Sequence, residues 1–407
     1  MKKKVVVTGM GMVSALGANV PENWDNLVKG KSGITPISII DASVLDTQIA
    51  AQADDKFEDF VNERIQKRQR KQMTRTVRMW MASAIEAVED SKIDFESYDC
   101  TKAGVIVGLI DTSMKEEERA ISESHIIVRN MPNSAPAWVS MKYGLKGPSF
   151  NLSTACASAA YAVSVAAQLI ESGICDMFVV GGVGSSINYD QLHGFNQIMA
   201  MSANNDNPST ACCPFSKRRD GFVLGEGAGA LILESEESAK ARNAKIYCEL
   251  SGYAMTEEAS DITAPQADGV GMAECMKKAL DSAGITTDDV DYINAHGTST
   301  YLNDKYETMA IKSVFGDRAY KIPVSSTKSM LGHGLAASGA FEAITTILSI
   351  NNGILTPTIN YDDPDPELDL DYVPNTARKA EINTAISNSF GFGGHNATLV
   401  FSKYKEG

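Results

Sequence analysis

Apolar residues run nearly all round the stretch from Ala157 to Ile170, which is built of Ala, Ser, Tyr, Val, Gln, Leu and Ile. That pattern predicts a buried helix rather than an amphipathic one. An extended run precedes it, so the helix is expected to begin at Cys156. Lys4 to Thr8, followed by Gly9, reads as a buried strand entering a turn. Gly9, Gly11 and Ser14 imitate a dinucleotide-binding fingerprint, but the third glycine is missing and no strand ending in an acid follows about twenty residues later. A structural turn is the expected reading there.

The pattern then occurs twice. Met81 to Gly108 reads as helix, linker and strand (AGVIVG), and Met272 to Gly297 reads as helix, linker and strand (YINAHG). GEGAGALILE, Gly225 to Glu234, parallels GGHNATLVFS, Gly393 to Ser402, and the pairs Ser153-Thr154 and Ser326-Thr327 each precede a long apolar helix. Such repetition predicts a duplicated α/β unit in which strands alternate with helices. The expected halves are 1–244 and 245–407, joined near Ala244 after the helix ESEESAKARNA. The Pro-rich, acidic segment Thr356 to Pro374 is expected to be a surface connection.

Composition narrows the function classes. The 407 residues carry a net charge of −14, which argues against general nucleic-acid binding because no overall positive field collects phosphates. No apolar run reaches the length of a membrane-spanning helix. The start, MKKKVVVTGMGMVSALGA, imitates a signal peptide, but Thr8, Gly9, Gly11 and Ser14 break its apolar region. Seven cysteines without regular spacing fit a reduced, cytoplasmic protein, and the adjacent Cys212 and Cys213 do not make a zinc site. Arg64 to Arg78 holds seven basic residues and no acidic ones. It is either a solvated helix face or a local patch for a small acidic partner.

Candidate chemistry lies at the strand-to-helix transitions. A helix N-terminus offers free N–H groups and about half a positive charge, which stabilise a thiolate or oxyanion at Cys156. A buried, inert cysteine is the alternative. His296 follows the strand DYINA, and His333 leads into the helix LAASGAFEAITTILSI, both beside glycines, where α/β folds place active sites. Lys328 precedes His333 by five residues, and Glu342 sits inside that apolar helix, where a carboxylate needs a partner or a bound cation.

TACAS around Cys156, NAHGTST around His296, SSTKSMLGH around His333 and NSFGFGG at Asn388 to Gly394 together resemble the elongating β-ketoacyl-acyl carrier protein (ACP) synthases of type II fatty-acid and polyketide systems. The resemblance runs from VVVTGMG to the last strand. It implies a thiolase fold, two similar α/β halves in a five-layered αβαβα sandwich. It also implies that Cys156 takes an acyl chain from the carrier protein's phosphopantetheine arm. Decarboxylation of malonyl-ACP then yields an enolate that attacks the thioester, with His296 and His333 as donors to the developing oxyanion. Lys328 orients or polarises the His333 region, and Glu307 joins that network. The backbone N–H groups of Cys156 and Phe392 form the oxyanion hole, and Phe392 gates access. No metal or redox cofactor is required, although Asn294, Glu342 and Asn388 match positions where some relatives hold a structural monovalent cation. The partner is the acidic carrier protein, with Lys67, Arg68, Arg70, Lys71 and Arg75 as its candidate dock. A homodimer, or a heterodimer with a ketosynthase-like chain-length factor, follows from the same resemblance.

Three departures bear on substrate. Asp111 and Thr112 stand where the fatty-acid enzymes commonly have Ile and Gly in the acyl pocket. NSAPAWVS replaces the usual apolar segment, and His395 replaces the usual Thr after GFGG. These, with DYINAHGTSTYLNDKYET, favour a polyketide or polyene ketosynthase. The alternative is a fatty-acid elongating synthase II. A degradative thiolase would need a second catalytic cysteine near His395, and an inactive chain-length partner would lack Cys156. A cysteine peptidase or a binding module would leave the second histidine and the repeat unexplained.

Overall fold

Nine successive buried residues, Val5–Val13, form the first strand of a ten-stranded sheet, β1. The computed structural model describes residues 2–111 and 126–405. Gly9 and Gly11 lie inside β1, not in a turn. The helix α1 (Arg75–Ser91) presses so closely that a Cβ on Gly11 would stand 2.0 Å from the Ser83 carbonyl oxygen, and one on Gly9 would stand 2.2 Å from that of Ala87. The glycines therefore serve helix-on-sheet contact, which a local turn reading could not see.

The remaining strands are β2 (Ala103–Gly108), β3 (Ser149–Leu152), β4 (Met177–Gly184) and β5 (Gly227–Ser235), then β6 (Cys248–Glu257), β7 (Tyr292–Asn294), β8 (Val324–Ser325), β9 (Thr384–Gly391) and β10 (His395–Ser402). Their spatial order is β8-β7-β9-β10-β6-β1-β5-β4-β2-β3. Read outward from the centre, each strand of one half has its counterpart in the other. The pairings match in sense as well: β1 with β5 and β6 with β10 are antiparallel, while β2 with β4 and β7 with β9 are parallel. The halves meet through a narrow β1–β6 seam of Val6 with Glu249 and Val7 with Cys248. The duplication read from the sequence is thus a topological one. Ala244 lies between the helix Glu236–Ala241 and β6.

Two helices occupy the middle layer. α2 (Ser158–Glu171) packs on β4 and β2 and also reaches β6 and β10, while α5 (Ser338–Asn352) packs on β9 and against α2. α5 is buried nearly all round, and α2 on all but the face of Tyr161, Val165 and Gln168, because each is covered by both halves of the sheet. Several of their hydroxyls bond within the helix, Ser164 to the Ala160 carbonyl at 2.8 Å, Thr345 to that of Phe341 at 2.8 Å and Thr346 to that of Glu342 at 2.7 Å, so these small polar residues enter the core satisfied. α1 covers the outer face of the first half, and α3 (Val270–Ala283) with α4 (Tyr301–Phe315) covers that of the second. The layers are αβαβα, the thiolase fold. The segment Thr356 to Pro374 is not wholly at the surface: Leu368, Leu370, Tyr372 and Val373 are buried, and the Asp371 carbonyl accepts from Val324 N–H of edge strand β8 at 2.8 Å.

Candidate functional site

The corresponding ends of β3 and β8 lead into the two central helices, and this brings the polar residues of both halves to one cavity. α2 starts at Ser158, two residues later than expected, because Cys156 sits in a turn whose Ala155 has φ +48°. A non-glycine residue there is strained. Ser158 clamps the turn: its hydroxyl accepts from Thr154 N–H at 2.9 Å and donates to the Ala155 carbonyl at 2.7 Å. Cys156 is 7% exposed and is the one cysteine that lines a cavity of about 560 Å³. His296, His333, Phe222, Phe392 and Thr298 line the same space.

His333 Nε2 stands 3.0 Å from Cys156 Sγ. On the far side of the ring, the Leu335 N–H donates to Nδ1 at 3.3 Å, and the Ser338 hydroxyl lies 2.9 Å from the same nitrogen. That backbone donor assigns the proton to Nε2. The His296 ring lies 5.4 Å from that of His333, nearly perpendicular at 82°. Its Nδ1 is 3.3 Å from Lys328 Nζ, which leaves the His296 Nε2–H as a donor too. Lys328 also donates to the His296 carbonyl at 2.6 Å and to Glu342 Oε1. Glu307 accepts from the backbone N–H groups of His296 and Gly297, each at 2.8 Å.

Burial sets the charges here. It lowers both imidazoles well below their ordinary pKa, helped by the Lys328 ammonium and, for His296, by His333, so both rings are neutral donors at neutral pH. Burial pushes Glu307 and Glu342 up to about 7. It also pushes the Cys156 thiol up to about 11, opposed by the Lys328 ammonium and the backbone N–H groups of Phe392 and Cys156. Phe392 sits on the β9–β10 hairpin. A Cβ on Gly391 would come within 3.2 Å of Cys156 N, so glycine lets this loop reach the nucleophile turn.

Asn294 is fully buried, and neither its Oδ1 nor its Nδ2 has a hydrogen-bond partner; Glu342 Oε2 has none either. Two orphaned oxygens suit a monovalent cation. Asn388 is already engaged, accepting from Thr398 Oγ1 at 2.9 Å and donating to Glu307 at 3.3 Å.

Two expectations change at the periphery. Arg75 is buried, its guanidinium 2.7 Å from both Glu226 and Asp55, so it belongs to a structural ion pair and not to a docking face. It heads α1, whose contact with β1 draws its first turn into the core. Lys67, Arg68 and Lys71 are exposed, while Arg70 is half-buried and donates to the Asn62 carbonyl at 2.9 Å. Asp111 does not itself line the cavity; it accepts from Gln191 at 3.4 Å, and Gln191 does line it. Thr112 lies outside the described residues. Sequence reading missed Ser158, Ser338 and Gln191. The first two stand two residues after Cys156 and five after His333, and spacing alone does not mark such supporting hydroxyls.

The chain is 42% identical to a 3-oxoacyl-(acyl-carrier-protein) synthase 2 of Coxiella burnetii, with 99% of each covered. It is 41% identical to the synthase 2 of Synechocystis, again over 99% of each. Among solved structures, the ishigamide ketosynthase/chain length factor superposes with a TM-score of 0.90 at 32% identity, covering 100% of both chains. A ketosynthase bound to the hexaketide, in complex with its type II PKS acyl-carrier protein, gives a TM-score of 0.88 at 35% identity, covering 99% of this chain and 100% of that one. The β-ketoacyl synthase N-terminal domain model matches residues 2–239 and the C-terminal domain model residues 247–362. The chain belongs to the β-ketoacyl synthase family.

Proposed function

We propose that this chain is a β-ketoacyl-ACP synthase, an acyltransferase that condenses malonyl-ACP with an acyl chain held on Cys156, in type II polyketide or polyene synthesis. The observation that carries the reaction is the convergence of one thiol and two neutral imidazole donors on one cavity, with Cys156 Sγ 3.0 Å from His333 Nε2. Attack of the Cys156 sulfur on a carrier thioester expels the pantetheine thiol, and the Cys156 and Phe392 N–H groups hold the tetrahedral oxyanion. Malonyl-ACP then loses carbon dioxide; the electrons of the broken C–C bond move to the thioester oxygen, where His296 and His333 donate. The resulting enolate carbon attacks the Cys156 thioester, and the thiolate leaves. Lys328, itself paired with Glu342, holds the His296 imidazole, Glu307 fixes the His296 backbone, and Ser338 with the Leu335 N–H holds the His333 imidazole. The phosphopantetheine arm belongs to the substrate, and the reaction uses no redox cofactor. Asn294 and Glu342 would hold a structural monovalent cation, which contributes charge neutralisation only.

The polyketide assignment rests on the polar pair Gln191 and Asp111 beside Ile110, where a saturated chain would face an amide. A second reading, fatty-acid elongation, is favoured by the names and 41–42% identity of the relatives. A starter panel separates them: short or keto-bearing acyl-ACP is expected to be elongated at least about tenfold better than saturated long-chain acyl-ACP, a difference of about 1.4 kcal/mol. Mass spectrometry of products reads the outcome, and efficient elongation of long saturated chains by this chain alone would restore the fatty-acid reading. The enzyme is proposed to act as a dimer, with itself or with a chain-length factor; among the described residues β3 is an edge of the sheet, open to such pairing. Cytoplasmic placement is proposed from the seven free cysteines.

Lys67, Arg68 and Lys71 are proposed to steer the acidic carrier. Reversing these three charges together is expected to raise KM for ACP about tenfold or more at low salt and to flatten its salt dependence. An unchanged KM would return them to a solvated face.

A further inference from the structure

We propose that His395, through its pairing with Glu257, is a positioning residue for the Phe392 loop; this rests on the condensing-enzyme reading above. His395 Nδ1 lies 2.7 Å from Glu257 Oε2, and the two residues are direct cross-strand neighbours on β10 and β6. The imidazole also stands edge-on to Tyr161 of α2, ring centroids 6.1 Å apart at 79°. Tyr161 in turn donates to the Thr256 carbonyl at 2.9 Å, next to Glu257. His395 thus joins three elements, the hairpin strand, β6 and the helix that begins behind Cys156.

Otherwise the loop it anchors is fixed by backbone hydrogen bonds, among them Gly394 N–H to the Gly391 carbonyl at 3.2 Å. Gly393 and Gly394 take φ +86° and +81°, conformations with broad freedom. A Cβ on Gly393 would come within 3.1 Å of the His395 ring, and one on Gly394 within 2.7 Å of Glu257 Oε1, so the pair lies directly against both glycines. Other ties come from the segment after β6: Gly393 N–H donates to the Ile262 carbonyl at 2.8 Å and Glu258 N–H to the Gly394 carbonyl at 3.0 Å. Loss of the His395–Glu257 bond leaves the Phe392 N–H less well aimed at the sulfur and the aromatic ring less well seated over the cavity.

His395→Leu and Glu257→Leu test this against His395→Asn, whose side-chain amide keeps a donor near the Nδ1 position. Each Leu variant is expected to slow acyl transfer from ACP to Cys156 at saturation about fivefold, the loss of one ordinary hydrogen bond, with KM within about twofold. Iodoacetamide alkylation of Cys156 in the unloaded enzyme is expected to speed up a few fold, because the unseated Phe392 ring uncovers the sulfur and alkylation makes no use of the oxyanion hole. His395→Asn restores both, and the double Leu variant is no worse than either single. Wild-type rates in His395→Leu, no rescue by Asn, or multiplying effects in the double variant would each overturn the proposal. Should one Leu variant fail to fold, the other carries the comparison. The alkylation arm uses no acyl donor, so a wild type that cannot be acylated would count against the condensing reading alone.

Discussion

Cys156→Ala is expected to abolish acyl-enzyme formation and to lower condensation by about 10⁴-fold or more, the scale on which removing a nucleophile acts. The other six cysteines offer no substitute: Cys175, Cys212, Cys213, Cys248 and Cys275 are buried away from the cavity, and Cys100 lies beside the Phe95 carbonyl on the first half's surface. Incubation with an acyl-ACP donor and mass mapping of the thioester checks the assignment. A normally acylated alanine variant would remove Cys156 from the reaction. The same site predicts a pH dependence. Burial places the thiol near 11, so at neutral pH the resting group is a thiol, and the thiolate fraction rises about tenfold per pH unit below that value. Acylation by a fixed donor is therefore expected to accelerate from pH 6 to 9.

Much of this was legible in the sequence, and the boundary of legibility has a physical cause. The half-chain echo foretold a duplicated α/β unit because such a unit must repeat its hydrophobic pattern wherever it builds the same layer, whereas the strand order of the sheet was not read from it. Burial of α5 and of most of α2 was readable for the same reason, whereas the open face of α2 at Tyr161, Val165 and Gln168 was not. Distance in sequence hid the rest. Whether Arg75 faces solvent depends on Glu226, 151 positions away, and nothing in RIQKRQRKQMTRTVR announces that partner. Gly9 and Gly11 read as a turn because local rules count backbone freedom, whereas the requirement comes from α1 lying against β1. Asp111 was expected to line the acyl pocket, but the residue that meets the cavity is Gln191, on the helix Tyr189–Gln197, with Asp111 behind it.

The histidines give the second large effect, and their expected signature lies in which half-reaction fails. His296→Ala and His333→Ala are each expected to slow carbon dioxide release from malonyl-ACP about 10²- to 10³-fold, or 3–4 kcal/mol, as loss of one preorganised donor does elsewhere. Both rings are held neutral by burial and by Lys328, so each keeps its Nε2–H across the neutral range. Decarboxylation should then stay flat from pH 6 to 8 while acylation climbs, because one step needs a neutral donor and the other a thiolate. His333 also touches the sulfur at 3.0 Å, so its alanine variant is expected to lose some acylation as well, whereas His296→Ala should retain most of it. Stopped-flow measurement of carbon dioxide release, run beside self-acylation on the same variants, separates the two. Full decarboxylation in His333→Ala together with lost acylation would instead make that ring a base for Cys156 and leave the enolate to His296 alone.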